Sequence, residues 1–143
     1  MVKTTLAAAT LIVGALVAVP ASASASTSDS ADVLSCKAVY QITNTWPASS
    51  TRDGISLGQV TVQNTGSSPM KGWRVSWRYA DGTTITQVWG AVPLPVIGPV
   101  GTQAFGNETY NGELAVRGST VFGFATRGPV PAETPDPVVC TPL

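Results

Sequence analysis

Residues 71–90, "KGWRVSWRYADGTTITQVWG", hold three of the chain's four tryptophans and two β-prone runs around Asp81-Gly82. Asp-Gly suits a two-residue type I′ turn, so the stretch reads as a hairpin. Counting outward pairs Ala80 with Thr83, Tyr79 with Thr84, Arg78 with Ile85 and Trp77 with Thr86. Ser76 then meets Gln87, Val75 meets Val88 and Arg74 meets Trp89. Opposed residues share a side of a sheet, and successive residues alternate sides. One side carries Trp73, Val75, Trp77, Tyr79 and Val88; the other carries Arg74, Ser76, Arg78, Gln87 and Trp89. Unpartnered arginines are costly to bury. The first side is therefore core and the second faces water, which makes Trp73 and Trp77 structural and Trp89 an exposed contact residue.

The same division recurs on both sides of this stretch. In "QVTVQN", Val60 and Val62 point one way and Gln59, Thr61 and Gln63 the other. In "TVFGFAT", Phe122 and Phe124 point inward while Val121, Gly123 and Ala125 point out. Strands are expected near Cys36–Thr45, Gly58–Asn64, Gly72–Ala80, Thr83–Ala91, Gln103–Gly106, Ser119–Thr126 and Val138–Thr141, with turn residues between them and no sustained helical period. The fold class is all-β: an antiparallel β-sandwich, immunoglobulin-like or jelly-roll-like. Its outward residues are small or hydrogen-bonding, as suits a surface that meets neutral polar matter.

The first 25 residues stand apart. Lys3 precedes an apolar run from Leu6 to Val19, and Ala21 to Ala25 offers overlapping A-x-A cleavage sites. This reads as a secretory signal peptide cut after Ala25, with Ala23 as the rival site, and it is short for a membrane span. An uncleaved anchor is the alternative. Residues 26–35 read as a flexible lead-in and 36–143 as one module. About 118 residues would remain after cleavage, enough for one core.

Without Lys3 the chain carries seven basic and eight acidic residues, with no cluster that would seek a phosphate backbone or an anionic membrane. The expected product is an extracellular monomer that binds neither nucleic acid nor, after cleavage, membrane. In an exported protein, Cys36 and Cys140 near the two ends of the module read as one disulfide between the first and last strands. A reactive thiol or metal pair, the other reading, lacks neighbouring ligands.

The chain contains no histidine, which excludes Ser-His-Asp and Cys-His nucleophile systems and histidine-ligated zinc or copper. A glycosidase can work with two carboxylates, but Asp53-Gly54 and Asp81-Gly82 read as turns. Glu108, Glu113, Glu133 and Asp136 read as solvated loop or tail charges. No cofactor is expected and the protein is read as a non-enzyme.

With Cys36, Trp46, "VTVQNTGSSPMKGW", "ITQVWGA", "NETYNGEL" and "VFGFATRG" in order, the chain from Cys36 to Cys140 resembles the family 2 carbohydrate-binding modules. The resemblance implies a secreted β-sandwich that binds cellulose or, in a subgroup, xylan, through exposed aromatics on one sheet face. It places Trp46, Trp89 and Tyr110 on the stacking positions and Asn44, Gln59 and Gln87 beside them as hydrogen-bonding groups. A sugar's axial C–H patch packs on a flat ring while side-chain amides meet its hydroxyls.

Three departures stand out. "PASSTRDGISLG" lengthens the connection after Trp46, Val121 and Ala125 stand where many members carry amides, and "AVPLPVIGPVGTQAFGN" is long and proline-rich. Strict alternation from Tyr40 and Ile42 would also bury Trp46 unless a β-bulge near Thr43 turns it outward. The expected function is adsorption to insoluble β-1,4-glucan, most simply cellulose, with chitin or xylan as alternative ligands. A protein-binding or inhibitor sandwich using the Trp89 face is a different class of reading. Asn107-Glu108-Thr109 is a glycosylation acceptor sequon.

Overall fold

β-Strands dominate the computed structural model, which describes Gly14, Ala15, Ala18, Pro20, Ser22 and residues 31–49 and 52–143. The expected leader and its cleavage site lie outside the described residues apart from those five positions. Residues 31–143 form one unit, separate from Met1–Ser30. Its strands are β1 (Cys36–Pro47), β2 (Asp53–Asn64), β3 (Trp73–Arg78), β4 (Thr84–Trp89), β5 (Ala91–Pro93), β6 (Thr102–Asn107), β7 (Ser119–Pro129) and β8 (Val139–Pro142). They form two four-stranded sheets, ordered β1-β2-β7-β4 and β5-β6-β3-β8, with antiparallel pairing throughout. The expected sandwich is the fold.

The expected hairpin does not form. β3 and β4 lie in different sheets: β3 is flanked by β6 and β8, so Val75 faces Phe105 on one side and Cys140 on the other. β4 pairs instead with β7. The Asp81-Gly82 turn survives as a link between sheets. Gly82 takes a left-handed φ of 86°, and the Asp81 carboxylate accepts the Thr83 N–H at 2.9 Å. The amides that a hairpin would send across to β4 go elsewhere. Tyr79 N–H donates to Gly101 O at 3.0 Å; those of Ala80 and Asp81 donate to the Glu133 carboxylate at 2.9 and 3.1 Å. Glu133 therefore caps this link rather than standing as a solvated tail charge. The physical reason is burial. A β3–β4 pair would stack two apolar strand faces side by side, whereas crossing the sandwich lets each cover the other.

The sidedness of β3 holds all the same, as does that of Val88 and Trp89 in β4. Trp73, Val75, Trp77 and Tyr79 are buried along with Val60, Val62, Phe105, Phe122 and Phe124. Trp73 of one sheet stacks on Phe122 of the other, with ring centroids 5.4 Å apart and planes 10° from parallel. Tyr40 packs edge-on against Trp77 at 5.4 Å and shares a 2.8 Å hydroxyl hydrogen bond with Tyr79. Burial raises both phenol pKa values, that of Tyr79 to about 12. Cys36 of β1 and Cys140 of β8 are bonded, Cα atoms 5.7 Å apart, and so staple one sheet to the other.

Eight strands form where seven were expected: the run read as one strand, Thr83–Ala91, ends at Trp89, and Ala91 opens β5 in the opposite sheet. Other boundaries shift as well. Asp53-Gly54 is no turn; it opens β2, and Gly54 pairs with Pro47 and Gly128. Val33 and Ser35, read as part of the lead-in, hydrogen-bond to the Thr65–Ser67 loop.

Candidate functional site

The outer face of the β1-β2-β7-β4 sheet gathers the six residues singled out in sequence. The registers define three rows across it. Trp46 sits in line with Ile55, Arg127 and Thr84; Asn44 with Leu57, Ala125 and Gln87; Gln41 with Gln59, Gly123 and Trp89. Gln59 donates from its amide to Gln41 at 3.3 Å. Tyr110 joins from the loop after β6. It borders a depression of about 410 Å³ shared with Trp89, Thr43, Gln59, Val121 and Gly123. Trp46, Trp89 and Tyr110 are 51, 47 and 75% exposed, high values for rings that could have been placed in the core.

Both edge strands of this sheet carry a one-residue bulge. In β1 the register shifts between Ile42 and Asn44, leaving Thr43 unpaired. This is the bulge that alternation from Tyr40 requires, and it turns Trp46 outward. In β4 the shift falls between Ile85 and Gln87, at Thr86. It lets Ile85 and Val88 both pack against the core while Gln87 and Trp89 face out. Ile85, expected on the wet side, is thus turned inward. The two bulges answer one another across the sheet. Thr43 donates its hydroxyl to Leu57 O and Thr86 to Ala125 O, each at 3.2 Å, and Leu57 and Ala125 are themselves paired.

Two further residues set the rings in place. A Cβ on Gly123 would fall on the Trp89 indole, so only glycine lets that ring lie down on the sheet. Alternation had marked Gly123 as outward, without showing what covers it. Asn111 fixes the Tyr110 loop. Its amide donates to Gly90 O at 2.7 Å, its Oδ1 accepts the Glu108 N–H at 2.8 Å, and its carbonyl accepts the buried Trp73 indole N–H at 3.0 Å. One side chain thereby joins the Tyr110 loop to the turn that follows Trp89. The sequon residue Asn107 is likewise structural, accepting the Trp73 amide and donating to Glu108 O.

A family of sequences described as "Cellulose binding domain" matches residues 36–141. The chain belongs to this family. Endoglucanase A of Thermobispora bispora is 41% identical over 93 residues, covering 65% of this chain and 18% of the enzyme. A lytic cellulose monooxygenase of Streptomyces ambofaciens is 38% identical over 90 residues, covering 63% and 22%. The chain thus spans about a fifth of the length of the curated relatives it matches.

Among solved structures, the cellulose-binding family 2 carbohydrate binding domain of ScLPMO10C is similar, with 32% identity and a TM-score of 0.56 over 78% of this chain and 99% of that one. The chitin-binding domain of Chi18aC from Streptomyces coelicolor has 28% identity and a TM-score of 0.56 over 75% and 90%. The cellulose binding domain family is the one the sequence motifs resemble.

Proposed function

We propose that this protein is a secreted, non-catalytic module that adsorbs to insoluble β-1,4-glucan, cellulose in the first instance. The observation that carries the reading is the placement of Trp46, Trp89 and Tyr110, all exposed, on one sheet face. Trp46 and Trp89 stand three strands and four residues apart, about 20 Å by strand geometry. That is about two disaccharide repeats of an extended glucan chain. Amides of Asn44 and Gln87 on the intervening row, and of Gln59 on the row of Trp89, are placed to meet hydroxyls, and rings held by bulges and a glycine floor lose little freedom on binding. Non-catalysis rests on the lack of histidine and on the family. Secretion rests on the leader-like residues 1–25, and action as a monomer on a face that needs no second copy.

Chitin is the second reading. Val121, 49% exposed beside Trp89, offers methyl groups where an acetamido methyl could pack, and a chitin-binding domain is among the similar structures. Pull-down of the purified module with crystalline cellulose, chitin, insoluble xylan and starch tests both. Retention by cellulose is expected. Retention by none of the four, with capture by a protein partner instead, would replace this reading with the protein-binding one.

A further inference from the structure

The opposite side of the sandwich has a different character. On the outer face of the β5-β6-β3-β8 sheet, Arg74 lies between Gly106 and Thr141, Ser76 lies between Ala104 and Val139, and Arg78 lies beside Thr102. The long, proline-rich β5–β6 connection folds against this face. Leu94 N–H donates to Ala104 O at 2.9 Å, and its side chain covers Gly106, where a Cβ would come within 3.1 Å of it. At the far end of the loop the Arg78 guanidinium donates to Val100 O and the Tyr79 N–H to Gly101 O, each at 3.0 Å. A loop anchored at both ends thus lifts two aliphatic side chains clear of the fold: Ile97 is fully exposed and Val100 is 93% exposed.

Beside Val100 lies a depression of about 180 Å³ lined by Ser76, Arg78, Thr102, Asp136 and Val139. Arg78 and Asp136 are both exposed and put one cation and one anion on its rim. Aliphatic tips this exposed mark a contact surface, and their surroundings say what they contact. A projecting branched side chain, a depression with room for one, and one pair of opposite charges make a self-complementary face. Under a two-fold axis each tip meets the other copy's depression, and each Arg78 meets the other copy's Asp136. An anionic lipid surface would draw in Arg78 but repel Asp136.

We propose that a second copy of this chain docks here in a weak two-fold pair. Ile97 of each copy enters the depression of the other, and Val100 packs at its rim. The contact runs through the second sheet, so the two carbohydrate faces point away from one another. Each copy adsorbs by itself, on a face that needs no partner; pairing at high local concentration joins two polysaccharide surfaces. The bridging rests on the carbohydrate-binding reading, whereas the pairing does not.

Sedimentation velocity tests the pairing. The weight-average coefficient of the purified protein should rise with concentration, with a midpoint on the order of 100 μM for a contact below the standard size. Ile97→Ser should weaken association by about tenfold or more and, at a fully exposed position, melt like the native protein. Arg78→Asp and Asp136→Arg should each stay monomeric alone, because like charges then face one another. Mixed together they should associate, since the mixed pair restores both contacts, an exchange that a merely structural role would not produce. Crystalline cellulose particles should flocculate with native protein and stay dispersed with Ile97→Ser at equal adsorbed protein.

A coefficient that stays constant up to about 1 mM overturns the pairing. So does association that Ile97→Ser leaves unchanged, a mixture of the charge variants that stays monomeric, or capture by phosphatidylglycerol vesicles in place of self-association. Pairing and adsorption without flocculation overturn the bridging alone. Pairing without adsorption to cellulose leaves the dimer standing and overturns the carbohydrate reading.

Discussion

Trp73 and Trp89 stand sixteen residues apart in one stretch of chain and have opposite surroundings. Trp73 is fully buried, stacked on Phe122, with both its amide and indole N–H groups bonded. Trp89 is half exposed on a glycine floor. Residue type is the same, so the difference comes from which side of a strand each occupies and what lies beneath. Between them the chain crosses from one sheet to the other, and after Trp89 it crosses back into β5.

The largest effect expected from breaking this contrast is in the core. Trp73→Ala should destabilise the fold by about 3 to 5 kcal/mol through the cavity it leaves, read as a shift of the urea midpoint. Adsorption per folded molecule should survive. A near-native midpoint would mean that the stack on Phe122 is not the keystone it looks to be.

Trp89→Ala should do the reverse. Binding to cellulose should weaken by about 1 to 3 kcal/mol, by analogy with lost aromatic–base stacking, at a stability cost of about 0.5 kcal/mol or less. Tyr110→Ala should act in the same direction but more weakly, since its ring covers less of a sugar. Native-like isotherms for Trp89→Ala would remove this face from the binding account.

Gly123→Val leaves Trp89 in place chemically and lifts it off its floor. Affinity should fall by about 1 kcal/mol, the low end of that stacking range, with the indole fluorescence shifted to the red. Deleting Thr43 tests the other ring, because without the bulge Trp46 returns to the inward side of β1. A loss of similar size is expected in the isotherm; an unchanged one would mean that Trp46 is dispensable.

The smallest effect is in pH. Tyr40 and Tyr79 have raised pKa values in the fold because burial disfavours the phenolate. The stability tied to their neutral forms is fully present below the ordinary value of 10.0 and declines as pH rises from there toward about 12, where Tyr79 ionises in the fold. Melting temperature should fall over that window, and less steeply in Tyr79→Phe. Adsorption between pH 5 and 8 should be flat, since the chain has no histidine.

How the proposed binding face could be foreseen varies with the residue. Trp89 came from a hairpin count whose partner strand was wrong; its side was right all the same, because Val88 and Trp89 alternate within β4 whatever strand lies beside them. Trp46 could be placed only by admitting a bulge near Thr43, which an outward ring requires but which alternation in "QITNTW" does not itself produce. Tyr110 owes its position to Asn111, whose hydrogen bonds to Gly90 and from the Trp73 indole join segments twenty and more residues distant. Arg127 was one cation in a long strand until pairing set it on the same row as Trp46.

The amino-acid order alone indicated the sidedness of most strand residues, the burial of Trp73, Trp77, Tyr79, Phe122 and Phe124, and the pairing of two cysteines in a two-cysteine chain, and it supplied the aromatic and amide residues of the outer face. These depend on local periodicity and on which side chains tolerate water. Tertiary structure decided that β3 and β4 separate into two sheets, that Thr43 and Thr86 bulge toward one central pair, and that Gly123 floors Trp89. Each of those turns on burying one shared core between two sheets, a condition met by the whole chain together and by no segment of it alone.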